Sequence, residues 1–455
     1  MTLVAMLALV ALLQRVTGAA PLDARAALAL GSVIILALAG GALARQLTLP
    51  RITGFLLIGI LAGPGGLGVL GGDALDSLRL ITDGALALIA IAVGCELRPA
   101  ARRAREERTA LLRLGAAAVG LPFLAVGFVA FTVIPWFPLT RHQPFPDALA
   151  VVLTLAVVAA VSSPALVLGV VAERAPDGAV PPVAHRVLQV TAVQLLVAAL
   201  LCPLLLTLAG PLASAGAVTP GVAVAALRGL AGAVGVGLVL GYGIVRYLTA
   251  LPGRTHALWI AVAAAFLVAQ AARWWGLDVM LCGLVAGACA GPPHGEAVRR
   301  TLRTAAAPVH LVFFALLGSA LRFDALRELW PWVLLFAGLR LVSLLAGWRW
   351  ATRSRVARTS GVEDRWGGLG LVSQGTFAIT LGAFARQAFP EWGVSLEALI
   401  LAMVGVHAVA GPVGFAVALR NTVREDGQDG EDAQIGESSD TRRAALVPGS
   451  GGARV

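Results

Sequence analysis

The chain has 455 residues, of which 58% are hydrophobic and only 13% are charged, and its mean hydropathy is +0.86. So much apolar surface excludes a water-soluble globular fold and indicates helices of about 20 apolar residues that cross a lipid bilayer. The net charge is +10 and all 35 basic residues are arginine, but no basic run is interleaved with aromatic residues, so we expect no nucleic-acid partner.

The predicted elements begin with residues 1–26, an N-terminal apolar segment. Its stretch 3–13 lacks the basic residues that start a signal peptide, which favours an extra helix over a cleaved signal. A transmembrane domain is predicted over residues 27–418. Its thirteen predicted spans have the approximate limits 27–44, 52–70, 80–97, 111–134, 148–172, 184–208, 218–248, 256–275, 279–292, 305–320, 328–351, 366–387 and 395–418.

Arginine placement predicts the orientation of this domain. The loops after spans 1, 3, 5, 7, 9 and 11, together with the start of the C-terminal segment, hold 22 arginines, whereas the opposite side holds 9. Because cytoplasmic loops carry the excess of positive charge, we expect the first side to be cytoplasmic. Residues 419–455 are polar and are predicted to form a disordered cytoplasmic tail. The predicted location is the inner (plasma) membrane of a bacterium.

An internal repeat occurs at an offset of 224 residues. Residues 58–63 resemble residues 282–287, and Gly94 corresponds to Gly318 at the same offset. Spans 1–6 and 8–13 would then form two six-helix repeats. Since equivalent spans are seven apart, an odd number, the repeats are predicted to be inverted in the membrane, which is typical of secondary transporters.

Two spans contain residues that interrupt a helix, at 162–164 in span 5 and at 373–376 in span 12. Proline removes a backbone donor and clashes with the preceding turn, and glycine costs about 1 kcal/mol relative to alanine. Interruptions at matching places in two repeats favour a binding site near the bilayer centre, with ordinary kinks as the alternative. The predicted site residues at these two breaks are Ser162, Ser163, Pro164, Gln374 and Thr376.

Four motifs then occur in order along the chain, at 49–64, 93–97, 307–318 and 373–378. Together they resemble the cation:proton antiporter superfamily, which includes sodium/proton exchangers and potassium-efflux antiporters. The resemblance covers about residues 27–418. It implies an all-α polytopic fold with broken, crossing helices and alternating-access exchange of Na⁺ or K⁺ for H⁺. It also implies a moving core bundle of spans 3–5 and 10–12, and a homodimer in the lipid bilayer.

The family's sixth helix carries aspartates that bind the cation and the proton in turn, and this chain has none there. No Asp or Glu occurs between Asp177 and Asp278. The polar groups of span 6 are Gln189, Thr191 and Gln194, and a glutamine can coordinate an ion but cannot titrate. We predict Thr191 and Gln194 as ion-site residues, with an interhelical hydrogen bond as the alternative role of Gln194.

Arg340 lies in the middle of span 11, at a depth where charges are costly and usually functional. It could offset the C-terminal ends of broken helices, or it could hold an anion. The second role would favour anion transport on the same scaffold. A non-transporting sensor or scaffold protein is a further alternative. We find no nucleophile–base pair, phosphate-binding loop or metal-ligand cluster, so we expect neither an enzyme nor a bound cofactor.

Overall fold

The computed structural model describes residues 22–68, 70, 75, 77–96, 105–174, 181–209, 220–250, 254–289, 294–320, 329–353, 365–389 and 391–445. Within these ranges the regular elements are all helical. The helices are α1 (Leu22–Gln46), α2 (Arg51–Ala62), α3 (Arg79–Glu96), α4 (Arg105–Thr132), α5 (Phe145–Ala159), α6 (Pro164–Arg174), α7 (Pro182–Ala209), α8 (Pro220–Ala250), α9 (Arg254–Trp275), α10 (Val279–Cys289), α11 (His294–Ala320), α12 (Trp330–Thr352), a 3-10 helix (Gly367–Leu371), α13 (Thr376–Ala388) and α14 (Gly393–Ala445).

The thirteen predicted spans all coincide with helices, which confirms the all-α polytopic prediction. Span 5 is divided into α5 and α6, and span 12 into the 3-10 helix and α13. Among the described residues, 7 helical segments are long and apolar enough to cross a membrane. The protein is therefore a multi-pass membrane protein.

Glycines bring two pairs of helices into backbone contact. A Cβ added at Gly94 of α3 would overlap the carbonyl oxygen of Leu284 in α10, and one added at Gly318 of α11 would overlap that of Leu56 in α2. Small residues at such positions let membrane helices approach closely. Gly94 and Gly318 are the residues related by the 224-residue offset, so the matching contacts support the proposed repeat.

These contacts correct the predicted core bundle. Spans 3 and 10, which are α3 and α11, pack with α1, α2 and α8–α10 in one group of helices, which we call the panel. The second group, which we call the core, consists of α4–α7, α12, the 3-10 helix, α13 and α14. The prediction of spans 3–5 and 10–12 was therefore wrong by one span in each repeat. The physical reason is that Gly94 and Gly318 fix α3 and α11 against their panel neighbours.

The apolar stretch 3–13 lies outside the described residues. At the other end, α14 continues to Ala445, into the segment 419–455 for which the composition predicts a disordered tail. Burial of α14 side chains in the core extends to Leu419.

Candidate functional site

The first interruption separates α5 from α6. Residues 161–163 leave the helix, and α6 restarts at Pro164. A proline fits this first helical position, because its missing N–H would have had no partner there and its fixed φ suits a helix start. The second interruption has the same form: residues 372–375 leave the helix between the 3-10 helix and α13, which starts at Thr376.

The two interruptions cross and are hydrogen-bonded to each other. The backbone N–H of Ser163 donates to the carbonyl oxygen of Ser373 at 2.8 Å. The hydroxyl of Ser162 donates to the carbonyl oxygen of Leu371. The side-chain amide of Gln374 donates to the carbonyl oxygen of Val158 in the last turn of α5, at 2.8 Å. The prediction of broken, crossing helices is thus confirmed.

Arg340 of α12 occupies the side of the crossing where α5 and the 3-10 helix end. Its side chain is fully buried. The guanidinium donates to the carbonyl oxygens of Ala159 (3.0 Å), Val161 (2.7 Å), Leu371 (3.2 Å) and Val372 (2.8 Å), and lies 3.1 Å from the Ser162 hydroxyl. Carbonyls at helix C-termini carry negative partial charge, so a cation is well placed among them. This matches the first of the two roles expected of Arg340, compensation of the broken helix ends.

A small cavity of about 10 Å³ lies on the opposite side of the crossing, where α6 and α13 begin. This volume is comparable to the space that one water molecule needs. Core and panel both contribute to its wall, since Met280 belongs to α10. The lining residues are Val161, Ser162, Ser163, Pro164, Ala165, Leu195, Met280, Gly375, Thr376, Phe377 and Ala378. None of them is ionisable.

Helix α7 presents Leu195, and not Gln194, to this cavity. The buried amide of Gln194 instead donates to the carbonyl oxygen of Ala118 in α4 at 3.0 Å. The Gln194 oxygen has no hydrogen-bond partner among the described residues. Thr191 is also buried and donates to the carbonyl oxygen of Leu188 in its own helix at 2.9 Å. Of the predicted site residues, the structure therefore brings together those of the two breaks, and it places the two from α7 elsewhere.

His407 of α14 belongs to the crossing, although it is not among the predicted site residues; a lone histidine in an apolar span is expected to be hydrogen-bonded structure more often than a proton relay. Its Nδ1 atom lies 3.0 Å from Oε1 of Gln374 and 2.9 Å from the carbonyl oxygen of Met403, and its Nε2 atom lies 3.2 Å from the carbonyl oxygen of Ala337. Because Gln374 is bonded to α5 as well, the pair links α14 and α12 to both breaks. These contacts agree with the structural role expected of a histidine in an otherwise apolar span.

No group of three or more His, Cys, Asp or Glu side chains that could hold a metal ion occurs in the described part of the chain. The oxygen atoms at the cavity come from serine and threonine hydroxyls and from the backbone. Such atoms suit a weakly held monovalent ion better than a resident transition metal.

Comparison with known proteins identifies the family. Residues 33–419 match the family described as "Sodium/hydrogen exchanger, transmembrane", which is most of the chain. The chain belongs to the sodium/hydrogen exchanger family. Its fold is similar to that of the sodium proton antiporter MjNhaP1 from Methanocaldococcus jannaschii, with a TM-score of 0.60 and 15% sequence identity over 88% of this chain and 98% of that one. A comparison with curated proteins gives no match.

As a sodium/hydrogen exchanger family member, this chain has the crossing of two broken helices but an apolar residue, Leu195, at the cavity beside it. A helix turns by about 100° per residue, so Leu195 and its neighbour Gln194 point in different directions. The cavity of this exchanger-family protein is consequently lined by hydroxyl groups, backbone atoms and apolar side chains.

Proposed function

We propose that the protein is a secondary transporter that exchanges Na⁺ or K⁺ for H⁺ by alternating access. The observation that carries this proposal is the cavity beside the crossing, which is lined by Ser163 and Thr376 of the core and by Met280 of the panel. A site between the core and the panel opens to one side of the membrane or to the other when the core shifts against the panel. Membership of the sodium/hydrogen exchanger family supports the same function.

The cavity limits what can bind there. At about 10 Å³ it takes one ion that has lost most of its water. The hydroxyls of Ser163 and Thr376 and nearby backbone oxygens would replace that water. Because none of the lining side chains titrates, we propose that H⁺ competes for the same oxygens as hydronium, so that cation and proton exclude each other.

Anion transport is the second candidate, and one observation favours it. Both α6 and α13 begin at the cavity, and none of the described residues that line it is acidic. A helix N-terminus carries roughly half a positive charge, so two of them attract an anion unless a carboxylate neutralises them. Arg340 adds nothing to this attraction by direct contact, because its donors are occupied by carbonyl oxygens and a hydroxyl.

Reconstitution into liposomes tests both candidates. With a pH-sensitive dye inside and an imposed pH gradient, added Na⁺ or K⁺ should dissipate the gradient under the first proposal. Flux of radioactive chloride, measured in the same preparation, should exceed that of empty liposomes under the second. Absence of both fluxes with folded protein would contradict transport of either kind and leave the sensor or scaffold alternative.

A matched pair of variants connects any flux to the cavity. Thr376→Val removes a hydroxyl from the lining with little change in shape, and we expect it to reduce the flux. Thr380→Val removes a hydroxyl one turn further along α13, at an exposed position outside the lining, and we expect it to leave the flux unchanged. Equal effects of the two substitutions would show that the cavity is not the transport site.

A further inference from the structure

A second, larger cavity of about 550 Å³ forms a groove in the panel between α1, α2 and α11. Its walls are apolar along most of their length, and several of the wall residues, such as Leu38, are exposed. The apolar lining residues are Ile34, Leu38, Gly41, Ala42, Phe55, Ala307, Pro308, Leu311 and Val312. Two arginines, Arg45 and Arg51, complete the lining.

The two arginines lie at the same end of the groove. Arg45 is in the last turn of α1, Arg51 is the first residue of α2, and only residues 47–50 separate these helices. Both side chains are exposed, and the structure shows no ion pair for either within the described residues. The groove is therefore apolar along its length and cationic at one end.

Glu173 lies beside this end of the groove, and its carboxylate is already engaged. The two carboxylate oxygens of Glu173 accept the backbone N–H of Arg51 at 2.8 and 3.0 Å, at the N-terminus of α2. Arg174 and Arg420 also interact electrostatically in this neighbourhood, Arg174 with both Glu173 and Arg420. Of these five described side chains, four are arginines and one is a glutamate, so their summed charge is positive.

The cationic end and the apolar length of the groove match the head group and the acyl chain of an anionic phospholipid. A phosphate group pairs well with two guanidinium groups, and an acyl chain pairs with a long apolar groove. Arginine placement puts this end of the panel on the predicted cytoplasmic side, where anionic lipids are enriched. A second copy of the chain fits less well, because a neighbouring apolar helix would leave both cations without an anionic partner.

We propose that this groove binds one anionic phospholipid, with its phosphate group at Arg45 and Arg51 and an acyl chain along α1 and α11. The site is separate from the transport cavity. It is therefore tested by lipid binding alone and does not depend on the proposed transport function.

Thermal unfolding of the purified full chain in detergent, with increasing lipid, tests the proposal. We expect phosphatidylglycerol to raise the melting temperature, and phosphatidylcholine with the same acyl chains, or inorganic phosphate alone, to leave it unchanged. Because one arginine near an anionic lipid contributes about 1 kcal/mol, Arg45→Gln and Arg51→Gln should each weaken the apparent affinity about fivefold. Arg349→Gln, an exposed arginine in the last turn of α12 and outside the groove, is the matched control and should change nothing.

The groove itself is tested by filling it. Ala42→Trp places a large ring in the groove while keeping both arginines, and we expect the phosphatidylglycerol effect to disappear. If this variant does not fold, Leu38→Ala shortens an exposed part of the wall, and we expect about a twofold loss of affinity from the lost apolar contact. An unchanged lipid effect in the groove variants would show binding to a charged surface and overturn the proposal. Native mass spectrometry gives a second test. A parent dimer that carries no bound lipid, and that Ala42→Trp dissociates, would show that a second copy of the chain occupies the groove and would overturn the proposal.

Discussion

The Nη2 atom of Arg340 lies 2.7 Å from the carbonyl oxygen of Val161, in the gap between α5 and α6. The same guanidinium donates to Val372 in the second break, so one side chain of α12 neutralises the carbonyl ends of both. A bound anion is not needed to compensate this buried charge. Ion binding is better placed at the cavity on the other side of the crossing.

Replacing Arg340 by Gln should lower the stability of the folded protein by about 3–5 kcal/mol, because removing one partner of a buried charged network leaves the others unpaired. The measurement is the melting temperature in detergent. Arg349→Gln changes an exposed arginine of the same helix and should have little effect. If chloride or phosphate protected the parent against heat and the Arg340→Gln variant lost only this protection, the anion role of Arg340 would be supported instead.

Leu195→Asp should increase the cation-dependent proton flux relative to the parent protein. A carboxylate at this position would lie between the N-termini of α6 and α13 and would attract a monovalent cation, so we expect the cation affinity to rise at least about tenfold, which corresponds to about 1.4 kcal/mol. Proton flux in liposomes with added Na⁺ or K⁺ is the readout.

Gln194→Asp provides the control for that substitution. It places the same carboxylate against the carbonyl oxygen of Ala118, away from the cavity, so we expect no gain of flux and a lower melting temperature. Were Gln194→Asp to gain flux and Leu195→Asp to remain inactive, the orientation of α7 with Leu195 toward the cavity and Gln194 toward α4 would be wrong.

Gly59→Ala should destabilise the panel. A Cβ at Gly59 would overlap the carbonyl oxygen of Ala315 in α11, and relieving such a clash costs typically about 1–3 kcal/mol. Gly338 of α12 has nothing within 4 Å of the position of its Cβ, so Gly338→Ala should be neutral or stabilising by about 0.5–1 kcal/mol. Melting temperatures of the two variants, compared with the parent, decide the matter, and equal shifts would contradict the close contact of α2 and α11.

Asp278 should make the stability depend on pH. It lies in the connector between α9 and α10 and accepts the backbone N–H of Leu281 at 2.8 Å. Burial raises the pKa of this carboxyl from 3.8 to about 6, so the folded protein holds the proton more tightly than the unfolded chain. By linkage, stability then falls as the pH rises from about 4 to about 6 and stays lower above that range.

Asp278→Asn isolates this contribution, since asparagine keeps the helix cap and has no charge. We expect the melting temperature of the variant relative to the parent to be higher at pH 8 than at pH 4.5. A difference between the two proteins that did not change with pH would show that Asp278 titrates alike in the folded and unfolded chains.

The sequence predicted the spans and the breaks because each has a strong local cause. Bilayer thickness imposes long apolar runs, and Pro164 and Gly375 each mark the point where a helix is interrupted. The rotation of α7 about its axis has no such local cause, because it depends on packing against α4. The polar residues of span 6 therefore pointed to Gln194, although its neighbour Leu195 lines the cavity.

The assignment of spans to the core and the panel failed for a different reason. It was carried over from the family resemblance, whereas the relevant information was already present in Gly94 and Gly318, whose missing side chains determine which helices touch. The inversion of the repeats, the homodimer and the cytoplasmic side of the tail stay predictions, since each concerns a relation to the membrane or to a second chain.

Arg340 also has a mechanical consequence. Since it fastens the carbonyl ends of both breaks, the four half-helices cannot separate at their crossing without breaking several buried hydrogen bonds at once. In alternating access these half-helices would therefore move together as one rigid unit, and the part that adapts would be the panel side of the cavity. On the panel side, Met280 is the one residue that lines the cavity within the described part of the chain, and its unbranched, adaptable side chain could change rotamer during such a movement.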